Sequence, residues 1–386
     1  MSLWYSTLLV TYKESRVKQK RIIPFAVLLA LLGGAGGYWV GSKMTDDPFE
    51  EASAGLFLAG AVIVLYLAIA LHELGHVIGG WSSGMRVMFY IAGPLKIARE
   101  GSRLTIGRNR NWSLAGGIAG MTLTPESSVQ AREAMIRMVA GGPLASLFAA
   151  LVTGFAFTQF YQPTLHAVLG IAALSQAAIF LVTSIPTVQG NFYSDGARLR
   201  MLLRGGMAAE RWVAAAGIGS QLMAGVRPRD LDRSLLERGL RDFDGSYDAV
   251  AVAAVACQAS LDAGDPEAAG VWLDRALEHQ SVWPAAFRSF LFLDAAFFEA
   301  DVRRNPEAAR RHFDNVQVNE LMRPRTRLVV EAAVLRAEGH LAESDVKVQE
   351  ALALGEDPDG KSKMDTDWLL GARLLVRPEL QSEPRP

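Results

Sequence analysis

Long apolar runs separated by short polar stretches fill the first half of the chain, and helical amphipathic periodicity takes over in the second. Apolar runs at Ile22 to Gly41, Ala54 to Trp81, Ala134 to Phe157 and Leu165 to Ile185 each approach the ~20 residues a helix needs to cross a bilayer. They predict four spans, with Gly141-Gly142-Pro143 interrupting the third. Between the second and third, the runs shorten. Val87 to Ala92, Leu95 to Ala98, Leu104 to Ile106 and Leu114 to Leu123 read as short strands, with Glu100-Gly101-Ser102 as a turn, because apolar and β-branched residues there are bounded by Gly and polar clusters. Such a sheet either packs over the membrane helices or offers its open edge to an extended peptide. After Pro186, Ser194 is placed to cap a short basic helix ending at Arg204.

From about Ala209 the pattern becomes that of a soluble, Ala- and Leu-rich helical segment. The turn at Ala263 to Ala269 recurs at Arg304 to Ala309 and again at Ala337 to Glu343. Each turn precedes a helix whose apolar residues face inward: Leu273 and Leu277, Phe313 and Val316, then Val348 and Leu352. Helix pairs recurring every ~35 to 40 residues are similar to tetratricopeptide repeats, and an ordinary helical bundle is the competing reading. The predicted fold class is therefore mainly α: a polytopic membrane helical bundle with a small β element, followed by a soluble tetratricopeptide-like domain. The expected boundaries are a basic N-terminus over 1–21, a membrane domain over 22–208, helical repeats over 209–375 and a tail over 376–386, with a short helix at Asp367 to Leu375.

Charge adds orientation to this pattern. Up to Ala208 there are 17 Lys and Arg against 10 Asp and Glu; beyond it there are 22 against 30. The basic cluster Lys13 to Arg21 precedes the first run, Asp46 to Glu51 form an acidic loop after it, and Arg198 to Arg204 follow the last. By the positive-inside rule both termini are expected in the cytoplasm, with the first run an uncleaved anchor. An acidic soluble half does not suggest nucleic-acid binding. The single Cys257 rules out an intramolecular disulfide and a Cys-rich zinc site, and reads as a small buried residue.

Within the second run stands His72-Glu73-Leu74-Gly75-His76. Histidines four apart lie one turn from each other on one helix face, where both rings reach one metal ion, and Glu73 beside them is suited to take a proton from metal-activated water. Ionisable groups inside a span are costly, so they mark function by default. A soluble zinc protease is unsuited to a motif helix that is apolar all round. His166 falls near the outer end of the fourth span, far in depth from His72.

This motif in a span, Gly141-Gly142-Pro143 in a following one and Asp195-Gly196 after a Pro-broken helix together resemble the site-2 protease family of intramembrane zinc metalloproteases. The resemblance covers Ala54 to Arg204 and does not reach the helical repeats. It implies zinc held by His72, His76 and Asp195, Glu73 as general base, and membrane-spanning protein substrates cut in or near the lipid bilayer. In this chain Thr183 stands where the family has an asparagine before the proline, and Asp195 comes nine residues after Pro186, which leaves the role of Asn191 open. Asp195 is also the carboxylate best placed on the side of His76, Glu100, Glu126 and Glu133 falling in or beside the loop after the second span. The alternative function is a catalytically silent membrane adaptor whose repeat domain binds a cytoplasmic protein or peptide. An intact Glu73 argues against it.

Overall fold

The computed structural model describes residues 54–100, 103–109, 117–189, 192–283, 285–318 and 322–354. The expected basic N-terminus, first span, acidic loop, Asn191, the helix at 367–375 and the tail lie outside the described residues. The chain divides between Gly206 and Met207 into two compact units.

The unit before the division contains α1 (Ala54–Trp81), α2 (Pro125–Ser128), α3 (Ala131–Gln159), α4 (Pro163–Ser184) and α5 (Asp195–Arg204). Among the described residues, α1, α3 and α4 are long and apolar enough to cross a membrane. Helix α3 starts three residues before its apolar run because Arg132 and Glu133 form its first turn. The interruption expected at Gly141-Gly142-Pro143 does not occur: α3 runs through it with Pro143 inside. Pro143 gives up one backbone hydrogen bond, while the glycines serve a close helix crossing. A Cβ on Gly75 or on Gly141 would overlap the other residue's carbonyl, so these small residues let the α1 and α3 backbones meet.

Four antiparallel strands, β1 (Arg86–Ala92), β2 (Leu95–Glu100), β3 (Arg103–Arg108) and β4 (Ile118–Thr122), pair in the order β3-β2-β1-β4. Strands β1, β2 and β3 reach past their apolar runs, with Arg86, Arg103 and Arg108 exposed at their ends and Glu100, expected in the turn, closing β2, whereas β4 falls inside the run expected from Leu114 to Leu123. The sheet is fixed to the helices through β1. Phe89 is almost fully buried, and the Tyr90 hydroxyl donates to the Ala70 carbonyl of α1 at 2.7 Å. A hairpin of β5 (Val188–Gln189) and β6 (Phe192–Tyr193) joins α4 to α5. Ser194 caps α5, accepting from the Ala197 N–H at 3.2 Å and donating to the Ile185 carbonyl at 2.7 Å. At the other end of α5, the Arg132 guanidinium donates to the Leu202 and Leu203 carbonyls at 2.7 and 3.2 Å, supplying donors to carbonyls a helix end leaves unpaired.

The second unit is helical among its described residues: α6 (Met207–Met223), α7 (Arg233–Leu240), α8 (Tyr247–Asp262), α9 (Pro266–Glu278), α10 (Ala285–Asp301), α11 (Pro306–Asp314), α12 (Pro324–Ala337) and α13 (Leu341–Ala353). Helices α8 and α9, α10 and α11, and α12 and α13 pack in sequential pairs. Asp265 and Asn305 cap α9 and α11 through their side chains, each followed by Pro at the first helical position, an arrangement suited to tight interhelical turns. Leu273, Phe313 and Val348 are buried, with Leu277, Val316 and Leu352 half-buried against the same clusters. Cys257 is buried among them, and burial pushes its thiol above the ordinary cysteine range.

Candidate metal centre

Helix α1 sets His72 and His76 one turn apart, and α5 brings in Asp195 at its first residue. The His72 Nε2 lies 3.2 Å from Asp195 Oδ2 and 3.3 Å from His76 Nε2, while His76 Nε2 lies 3.5 Å from the same oxygen. One donor atom from each residue thus falls within 4.8 Å of the others. His166 is not part of this group. Its Nδ1 donates to the Phe160 carbonyl at 2.9 Å and its ring stacks on Phe157 at 3.8 Å.

Three local features aim the group. Gly196 lets α5 start against the end of α4, since a Cβ there would overlap the Ser184 carbonyl. Gly142 leaves room for the His76 ring, which a Cβ would displace. The Nδ1 of His76 faces the Met138 carbonyl at 2.9 Å; a carbonyl only accepts, so this nitrogen carries the proton and Nε2 presents a lone pair to the group. Glu73 stands beside the three. Gly117, at φ +93, passes so close to the Glu73 carboxylate that a Cβ would sit 2.9 Å from Oε1, and the backbone of Ala119 in β4 follows beside it. Only a residue without a Cβ takes both that φ and that approach comfortably.

Zinc fits this donor set. Two imidazoles and a carboxylate are the three-ligand complement of hydrolytic zinc sites that keep a position open. Electron-rich atoms drawn this close on an apolar helix call for a shared cation. Sequence reasoning singled out all three donors and Glu73, but not Ser146, Met138, Ala119 or Gln176. A buried glutamine in an apolar run was the one visible signal among these: Gln176 is 4 % exposed, and its Nε2 reaches the Ala68 carbonyl at 3.4 Å.

Two histidines, a carboxylate and an adjacent glutamate, carried by helices of membrane-spanning length, make up the parts of a hydrolytic metal centre in an integral membrane protein. Over residues 60–334 the chain matches the model of peptidase family M50. It belongs to that family, the site-2 proteases, and is a membrane metalloprotease of that type. The match continues past Arg204, where the resemblance read from the sequence ended, and into α12. No curated protein and no solved structure matches the chain.

Proposed function

We propose that this protein is a zinc-dependent intramembrane endopeptidase in which His72, His76 and Asp195 hold the metal and Glu73 is the general base. The convergence of the three donors, with Glu73 alongside, carries this reading. Zinc, when bound, supplies Lewis acidity that brings the pKa of water towards ~7 and polarises a carbonyl. The Glu73 carboxylate then accepts a proton from the attacking water and returns it to the leaving amide nitrogen, with the Gly117 backbone packed against the carboxylate. The substrate is a membrane-spanning segment. It must unwind locally, because a lipid-embedded helix holds its peptide groups in internal hydrogen bonds. Strand β4 ends the sheet and contacts Glu73 through Ala119, so its open edge is suited to an extended segment next to the base.

In the same reading, residues 22–208 form the membrane domain with both termini cytoplasmic, and the helix pairs from 209 onward are a tetratricopeptide-like domain that binds a cytoplasmic protein or peptide. The test compares membrane proteomes of cells carrying wild-type protein, Glu73→Gln and Asp195→Asn, with zinc measured in each purified protein. Glu73→Gln is expected to keep its zinc and lose turnover by at least ~100-fold, and Asp195→Asn to lose both. Wild-type turnover by Glu73→Gln would refute the mechanism. Equal proteomes throughout would favour the silent-adaptor alternative.

A further inference from the structure

The two histidines are held from behind by the same helix in chemically different ways. Helix α3 presents the Met138 carbonyl to His76 Nδ1 at 2.9 Å and the Ser146 hydroxyl to His72 Nδ1 at 3.0 Å. The crossing at Gly75 and Gly141 explains the difference. Where the backbones nearly touch, a main-chain carbonyl reaches the ring. Further along α3 the gap is one side chain wide, and a short hydroxyl spans it. Ser146 is fully buried.

A carbonyl accepts hydrogen bonds and never donates, so His76 has one tautomer available. A hydroxyl does both. His72 Nε2 also lies 3.2 Å from Asp195 Oδ2, and a neutral ring can donate there only when Nδ1 is the unprotonated nitrogen. We propose that Ser146 is a positioning residue that serves the metal centre in both of its states. With metal bound, His72 Nδ1–H donates to Ser146 Oγ and Nε2 gives its lone pair to the ion. Without metal, Ser146 O–H donates to Nδ1 and Nε2–H donates to Asp195. The ring keeps one proton throughout; only the nitrogen that carries it changes, by exchange with solvent. Both nitrogens of His72 thereby stay hydrogen-bonded before loading, which an acceptor-only partner at this position could not achieve.

This inference rests on His72 being a metal ligand, and the test separates the two. Full-length protein with ¹⁵N-labelled histidine is examined in detergent with and without zinc, and zinc affinity is measured by chelator competition for wild type and Ser146→Ala. The expected signature is a His72 Nδ1 that is protonated with zinc and unprotonated without it, beside a His76 Nδ1 that is protonated in both. Ser146→Ala is expected to bind zinc ~10-fold more weakly, a usual consequence of removing a partner behind a ligand, and to lower the thermal transition of the metal-free protein as well, because His72 Nδ1 is buried against that hydroxyl and loses its partner. Wild-type protein that binds no zinc would overturn both readings. Equal zinc affinity and equal metal-free stability in wild type and Ser146→Ala, or a His72 Nδ1 whose protonation is the same with and without zinc, would overturn this one alone.

Discussion

Polar side chains are buried for different purposes in the two units. On the membrane-length helices they are few, and His72, Ser146 and the neighbouring His76 are gathered in one cluster with Asp195. In the unit from Met207, charged pairs are spread over the stack. Arg227 meets Asp262, Arg303 meets Asp274 and Glu299, Arg310 meets Glu338, and Arg336 meets Asp301. In an apolar environment each unpaired polar group costs several kcal/mol, so a cluster persists there only with all members matched. Pairs open to water, such as Arg303 with Asp274, carry no such penalty and contribute little each, whereas Asp262 meets Arg227 from a buried position. The first arrangement concentrates consequence in a few atoms; the second distributes it.

The largest expected effect follows from a change of one methyl group. Gly142→Ala would place a Cβ into the His76 ring, so purified protein should lose nearly all zinc and all measurable turnover. Gly154→Ala is the control on the same helix. Nothing lies within 4 Å of a Cβ built there, and replacing a helical glycine by alanine should add ~0.5 to 1 kcal/mol of stability with zinc unchanged. Equal zinc content in the two variants would remove the special status given to the cluster.

A middle-sized effect tests a place where the second unit imitates the first. Arg211 is 2 % exposed and donates to the Gly239, Arg241 and Asp242 carbonyls at 3.0 to 3.1 Å and to Asp244 Oδ2 at 2.7 Å. It folds the turn between α7 and α8, where Asp242 holds a positive φ of 47. Arg211→Met would strand these acceptors and should cost ~3 to 5 kcal/mol, read as a fall of ~6 to 20 °C in the unfolding temperature of the unit. Zinc binding should be untouched. A loss of less than ~1 kcal/mol would mean that water replaces the guanidinium readily.

What the sequence discloses follows the same contrast. The spans at α1, α3 and α4 are legible because apolar length is itself the physical requirement, and the His72 and His76 pair is legible because four residues make one helical turn. The approach of Asp195 to His72, across 123 positions, follows from no spacing and came from resemblance. Ser146 could not be told from a small residue chosen for helix packing, since Ser serves both uses. The run Gly141-Gly142-Pro143 pointed to a break, yet one lost hydrogen bond is outweighed by the packing the glycines permit. The β5–β6 hairpin has two-residue strands, too short for any alternation to register.

The smallest expected effect belongs to a water-facing pair. The Arg310 guanidinium donates to Glu338 at 2.8 Å through Nε, with the two side chains 34 % and 21 % exposed. That hydrogen bond holds the Glu338 carboxyl below the ordinary glutamate range, against a weaker upward push from burial. A carboxyl whose pKa is depressed in the folded state stabilises the fold above its unfolded value of ~4.3 and loses that contribution as pH falls through the folded value. Exposure and salt screening limit the contribution to ~0.5 kcal/mol. Glu338→Gln should therefore lower the unfolding temperature by ~1 to 2 °C at neutral pH, and the gap to wild type should close as the pH drops below the folded pKa. Raising salt should narrow it too. A gap of more than ~2 kcal/mol that persists in acid would show Glu338 acting through packing, and would place this pair with Arg211 rather than among the distributed contacts of the helix stack.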